Sequence, residues 1–282
     1  MRRFDIFYPG NIQIREAFYG FVSDLDTIRE GEYRFFLPNG TLKQYGHFEN
    51  GKPHGNWIIY HDTGQIHQEI VFKNGVRNGE YRVYSQNGRL IQLGNFCNDK
   101  LQGEFRSFYP DGTIESISYY VDNYQQGLIK IFYPDGTLYR EMYVKNGIPN
   151  GVWRQYYVNG ALNYCGHKAD GHFADSLWVF YDNGAKRRLS VYRNGVLYGP
   201  FEAWHSNGQA SIRTYYVNGV QHGHYIEFAP TGGVLQKGYF KNGQKQGEWL
   251  SFHENATLHA RGSFRDNLFY GNWDVFHANG AL

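Results

Sequence analysis

Cysteine is nearly missing from this chain: its 282 residues include only Cys97 and Cys165. Two thiols at unlike positions make neither a disulfide framework nor a metal-ligand set. Long apolar runs are missing too, which argues against a membrane-spanning helix. The basic start, Met1-Arg2-Arg3-Phe4-Asp5, is followed by no apolar run of signal-peptide length, so the expected location is the cytoplasm. Charge of one sign is also lacking. With 28 Lys and Arg against 26 Asp and Glu, the net charge is +2, which speaks against a strongly basic nucleic-acid binder. Apolar residues at 41% and charged residues at 19% speak against a disordered chain. Long aliphatics are scarce beside 35 Gly, 25 Tyr and 21 Phe. That balance argues against helical bundles and against a Val/Ile-rich parallel sheet.

What is present is a repeat. Glycines stand at 31, 55, 79, 103, 127 and 151, then, after Asp175, at 199, 223, 247 and 271. The period is 24 residues across eleven units, without an insertion. Taking each of these as position 0, position 5 is aromatic in every unit, from Phe36, Tyr60 and Tyr84 to Phe276. Position 2 is usually another aromatic, as in Tyr33, Trp57 and Trp249, and position 9 is Gly in every unit except for Ala256.

Each unit reads as two short antiparallel strands. Asn-Gly and Asp-Gly pairs mark hairpin turns, because both residue types tolerate positive φ. In Leu37-Pro38-Asn39-Gly40 and its equivalents, Pro suits the first central position of a type I turn. A three-residue loop with Gly in the left-handed position therefore fits best. It sets Phe36 opposite Leu42, Tyr60 opposite Ile66 and Tyr84 opposite Leu90. A second turn, such as Asn50-Gly51 or Asn74-Gly75, closes each unit, with an aromatic three residues before it. No hairpin of this size is stable alone, so neighbours must stack. The expected fold is all-β: an elongated single-layer antiparallel sheet, a twisted ribbon or half-pipe, of tandem 24-residue β-hairpin repeats.

The unit Gly-x-Trp-x-x-Tyr-x-x-x-Gly, closed by Lys-Asn-Gly, resembles the MORN repeat, and more closely its bacterial variant form. Gly55-Asn56-Trp57 to Tyr60, Phe72-Lys73-Asn74-Gly75, and Gly151-Val152-Trp153 to Gly160 carry the resemblance. It covers residues 31 to 282, leaving residues 1–30 as a capping hairpin around Phe7-Tyr8-Pro9-Gly10-Asn11 and the last of the eleven repeats truncated. The resemblance implies an elongated β-sheet and, for many members, the role of antitoxin or immunity partner of a bacterial protein toxin. It also implies the alternative of a structural or membrane-associated scaffold that binds anionic lipid. Asn98-Asp99, Asp122-Asn123 and Asp266-Asn267 replace Asn-Gly and should keep their turns. The stretch from Ala161 to Arg188 is the most irregular; it reads either as simple drift in a tolerant array or as a bend or widened loop. The half-made last hairpin leaves an edge strand that could pair with a second copy.

Chemistry is hard to find. No Gly-x-Ser-x-Gly, Walker-type loop, His-Glu-x-x-His or Cys-x-x-Cys occurs. His61, His205, His253 and His277 share one repeat phase, but same-phase residues in adjacent units lie roughly 10 Å apart, too far for a shared metal. The expectation is a protein-binding chain without catalysis, cofactor or metal. One feature rises above the repeat. Position 3 holds Arg34, Arg82, Arg106, Lys130 and Arg154, then changes to Trp178, Glu202 and Ile226. These cations should share a face with the stacked position-5 aromatics, Tyr60, Tyr84 and Tyr156 among them. Such a basic, aromatic-lined stripe suits an acidic protein surface, a phosphate-bearing ligand or a nucleic-acid strand. The low net charge makes the nucleic-acid version weakest. The plainer alternative is that cationic stems cover ring faces while their heads stay solvated.

Overall fold

The computed structural model describes residues 1–10, 12–22 and 26–282; Asn11 of the first turn lies outside the described residues. Every regular element among them is a strand, 26 in all. Among the described residues no helix is long and apolar enough to cross a membrane. The chain divides into two compact units, Met1–Thr137 with Val144–Gly147, and Leu138–Tyr143 with Ile148–Leu282. Each unit is an open antiparallel sheet in which each strand pairs with its chain neighbours.

The first unit shows how a repeat is built. Its strands begin β1 (Arg2–Phe7), β2 (Ile14–Val22), β3 (Thr27–Phe36), β4 (Leu42–Glu49), β5 (Lys52–Tyr60), β6 (Ile66–Lys73), β7 (Val76–Tyr84) and β8 (Leu90–Cys97). The turn between β3 and β4 is the expected three-residue loop. Leu37 N–H donates to Thr41 O, and Gly40 N–H donates to Leu37 O, with Gly40 at φ 87°. Phe36 faces Leu42 as the spacing requires. One residue further the register shifts, and Phe35 faces Gln44 because Lys43 is bulged out. Between β4 and β5 the two-residue loop Asn50-Gly51 has both residues at positive φ, 50° and 74°. Asn98-Asp99, Asp122-Asn123 and Asp266-Asn267 adopt the same pair of conformations, since a short polar side chain tolerates the left-handed region.

The anchor glycines sit in a second, wider bulge. Tyr45 faces Ile58, yet His47 faces His54; three residues, Gly55, Asn56 and Trp57, thus lie across from Gly46 alone. The anchor takes positive φ, 71° at Gly55 and 133° at Gly79, which an L side chain strains to reach. Asp175, standing in for it, adopts φ 61°. The stretch 161–188 holds no widened loop: its turns close through the same bonds, Tyr157 N–H to Ala161 O and Tyr181 N–H to Ala185 O. Its register equals that of its neighbours. Drift at Asp175 and Leu177 leaves the backbone unchanged because neither position needs more than a tolerated φ and an apolar filler.

With one layer of sheet, the core has to form on a face. It is a run of rings from position 2 of one repeat and the aromatic before the second turn, packed edge to face. Tyr33 meets Phe48 at 5.3 Å, Phe48 meets Trp57 at 5.2 Å and Trp57 meets Phe72 at 5.9 Å. The second unit repeats this with Tyr225, Phe240, Trp249, Phe264 and Trp273 at 5.1–6.0 Å. Such edge-to-face pairs contribute about 0.5–1.5 kcal/mol each beyond area burial. Tyr33 and Trp57 are 8% exposed and Trp249 is 3% exposed, deep burial for so thin a sheet. Basic side chains close the flank: Arg77 lies over Phe96 at 4.1 Å and Lys245 over Trp249 at 4.1 Å.

The rings need room beneath them. A Cβ on Gly46, Gly238 or Gly262 would strike the indole of Trp57, Trp249 or Trp273. Gly94 stands in the same relation to Phe105, at 2.7 Å. Where this position carries Ser118 instead, the facing residue shrinks to Ile129. Gly46→Ala and Gly238→Ala are each expected to lower stability by about 1–3 kcal/mol, the usual scale of overpacking, measured as a fall in the urea midpoint. Pairing Gly46→Ala with Trp57→Leu should cost less than the sum of the two changes.

Burial first, then the Glu16 carboxylate, pushes the Tyr33 hydroxyl up to about 12. Burial and Glu227 do the same for Tyr225. The folded chain thus holds both phenols neutral beyond the ordinary value of about 10. Their contribution to stability is complete below that pH and is lost as pH rises toward 12. An ultraviolet phenolate titration should show two tyrosines ionising late, with unfolding promoted over the same interval.

Candidate binding face

The bulge at Lys43 and its equivalents decides what the other face presents. Because it adds one residue to the returning strand, position 3 faces position 14 of its own repeat, and position 14 faces position 3 of the next. In the first unit, cross-strand pairing runs Arg34–Tyr45–Ile58–Glu69–Arg82–Leu93–Arg106–Ile117–Lys130 across nine of its strands. The second unit carries its own row, Arg154–Cys165–Trp178–Leu189–Glu202–Arg213–Ile226–Lys237–Leu250–Arg261–Asp274.

Arg34, Arg82, Arg106 and Lys130 thus lie on one row of the first unit, and Arg154 begins the row of the second. They do not form an unbroken basic stripe, because Tyr45, Glu69, Leu93 and Ile117 stand between them. Most of their charge is answered locally. Arg34 pairs with Glu32 at 2.6 Å, Arg106 with Glu104 at 2.5 Å and Arg154 with Glu141 at 2.6 Å. Arg82 pairs with Glu80 and reaches Glu69 at 3.6 Å. Arg34, Arg82, Lys130 and Arg154 are exposed, while Arg106 is half-buried.

The position-5 tyrosines share this face and are half-buried. Tyr84 donates its hydroxyl to Glu69 at 2.7 Å and Tyr156 donates to Glu141 at 3.0 Å. Burial, followed by these carboxylates, raises both phenols above their usual range. Desolvation, then Tyr45 and Glu69, does so for Tyr60. The stacking spine is not here, contrary to what the spacing implied; it lies on the opposite face, formed by position 2. Few ring contacts join position 5, Trp178 with Trp204 at 6.0 Å being one. Alternation along a strand puts positions 3 and 5 together and position 2 behind them, and the tilted side chains of position 2 are the ones that reach the next repeat.

The histidines turn out to be pins between repeats. His61, His205 and His253 place Nε2 at 2.9–3.0 Å from the backbone oxygens of Tyr84, Phe228 and Phe276. Tyr109, Tyr157 and Tyr181 occupy the same position and donate hydroxyls to Phe132, Phe180 and Trp204 oxygens at 2.7–2.9 Å. Tyr8 does likewise toward Phe36 at 2.7 Å. The signal was available in part: position 6 holds His or Tyr in eight of eleven units, and both reach one carbonyl, while Leu37, Ser85 and Ala229 depart from it. Among the described residues no cluster of His, Cys, Asp and Glu could hold a metal ion. Cys97 is exposed; Cys165, opposite Arg154 and Trp178, has its thiol pushed up by burial.

Six segments match a known repeat family. Residues 29–50, 53–74, 77–98, 101–122, 125–146 and 221–242 match the family described as the MORN repeat variant. The repeats between and after them keep the same turns and register. The chain is therefore an array of tandem hairpin repeats, six of which match this family. No curated protein matches it. Among solved structures it is similar to the crystal structure of TcdB2-TccC3, at 9% identity and TM-score 0.20, covering 89% of this chain and 19% of that one. It is also similar to TcdB2-TccC3-Cdc42, at 12% identity and TM-score 0.16, with 89% and 16% covered. The chain spans under a fifth of the length of these proteins, and likeness at this level bears on neither fold nor function.

Glu69 holds two partners, Tyr84 and Arg82, at one point of the MORN-variant row. Glu69→Ala should lower stability by about 1.5–3 kcal/mol, the scale of charged hydrogen bonds. Arg106→Ala, with an exposed partner, should stay within about 0.5 kcal/mol. Equilibrium urea unfolding of both variants separates the two outcomes.

Proposed function

We propose that this chain is a non-catalytic, protein-binding scaffold of the bacterial cytoplasm, an antitoxin or immunity protein that binds a cognate toxin and occludes its active surface. The observation that carries this reading is the row on the open face. Each unit offers one side chain per strand at a spacing of about 4.8 Å, backed by a ring spine that holds the backbone in place before any partner arrives. A preformed surface loses little conformational freedom on association. Tyr and Arg, which dominate binding hot spots elsewhere, recur along it as Arg34, Tyr45, Tyr60, Arg82, Tyr84, Arg106, Arg154 and Tyr156, with Lys130 among them. Their pairing with Glu32, Glu69, Glu80, Glu104 and Glu141 gives a patterned surface that selects a partner by complementary charge order rather than by bulk attraction.

Co-purification of the tagged chain from its native cells tests this. The expected result is a stoichiometric protein of toxin size, encoded beside it, whose activity is suppressed in the complex. Replacing Arg82, Arg106, Lys130 and Arg154 together by Glu should weaken that complex by roughly 2–5 kcal/mol, read by calorimetry. Unchanged affinity would remove the row from the interface. Retention on anionic vesicles, abolished by salt and with no protein captured, would favour the membrane-associated alternative instead.

A further inference from the structure

At four places position 14 of one repeat reaches over position 5 of the next, in two different arrangements. Glu69 and Glu141 precede Tyr84 and Tyr156 and accept their hydroxyls. Arg213 and Lys237 precede Phe228 and Phe252, and lie over those rings at 5.5 and 5.9 Å. The two arrangements differ in what they leave over. A phenol uses up an acceptor of the carboxylate. A benzene ring attracts a cation through its face but takes none of its N–H donors.

The charges of the second unit are correspondingly open. Its ion pairs among the described residues are Arg154–Glu141 and Arg261–Asp274; Arg213 and Lys237 belong to neither and are exposed. Glu202 faces Arg213 across the strands but forms no ion pair with it. Lys237 lines a recess with His224, Ile226, Tyr239, Glu248 and Leu250. The first unit makes the same recess from Asn56, Ile58, Glu69, Val71, Glu80 and Arg82, where Glu69 and Glu80 neutralise the one cation. One fold feature therefore occurs twice, once closed on itself and once open.

We propose that Arg213 and Lys237, with the exposed Tyr215 and Tyr239 and the apolar floor of Ile226 and Leu250, form a binding site for an acidic segment of a partner protein. One strand lies between the cations, so at two strand spacings their carboxylate partners stand about 10 Å apart. That density selects the ligand. A nucleic-acid strand presents a phosphate every 3.4 Å or so, and anionic membranes recruit clusters of about four to eight cations; two spaced cations between tyrosines match carboxylates on a polypeptide. This site rests on the scaffold reading and names a second surface within it.

The test uses the full chain and a fluorescein-labelled peptide of alternating Glu and Tyr, followed by fluorescence anisotropy. The wild-type chain should bind. Arg213→Gln with Lys237→Gln should weaken binding at least tenfold, and Lys73→Gln with Lys145→Gln, exposed cations outside this site and the row, by less than twofold. If the first pair lowers the urea midpoint, Arg213→Met with Lys237→Met, whose stems still cover the rings, takes its place. No binding by the wild-type chain, equal loss in both pairs, or preferential capture of an oligothymidine or of phosphatidylserine vesicles would overturn the proposal. The assay contains no cognate partner, so its failure leaves the co-purification result standing, and failed co-purification leaves the peptide affinity standing.

Discussion

A single-layer sheet has nothing to bury its face against, and everything else in this protein follows from how it manages without a second layer. The answer is the edge-to-face run of rings on one side. Tyr33, Phe48, Trp57 and Phe72 in the first unit, and Tyr225, Phe240, Trp249 and Phe264 in the second, form contacts from each repeat to the next. Large flat side chains are the residues able to do this, because only they cover enough area from one face to exclude water. The scarcity of aliphatics and the excess of Tyr, Phe and Gly are thus one fact. Rings supply the core, and glycines supply the space under the rings and the turns between strands.

The pleat separates the core from the open face. Position 2 points to the spine and positions 3, 5 and 14 point the other way, so the second face can vary without loosening the core. The first unit uses that freedom to interleave arginines with glutamates, and the second to set cations on phenylalanine rings. Where position 6 is Tyr or His, it ties successive repeats at the loop edge through one carbonyl. Either side chain reaches that oxygen, which gives the same-phase histidines a role without any metal geometry.

The turns were legible because they depend on a few residues in direct sequence. Gly40 after Pro38-Asn39 requires the left-handed position, and Phe36 opposite Leu42 follows by counting. The row on the open face was half legible. Position 3 could be read from Arg34, Arg82 and Arg106, but not its partners, because the bulge at Lys43 changes the count by one and brings Tyr45, rather than Gln44, opposite Arg34. No residue type marks that bulge. The irregularity expected around Asp175 was an over-reading, since Asp at φ 61° does what glycine does elsewhere.

By itself the sequence determined the period, the two turns, the all-β class and which residues are equivalent from one repeat to the next, since all of these rest on local backbone preferences repeated at constant spacing. Only the tertiary structure decided which rings form the spine, which face is left open and whether a given cation is neutralised. Those outcomes depend on register between strands, and a one-residue bulge is enough to exchange every cross-strand neighbour.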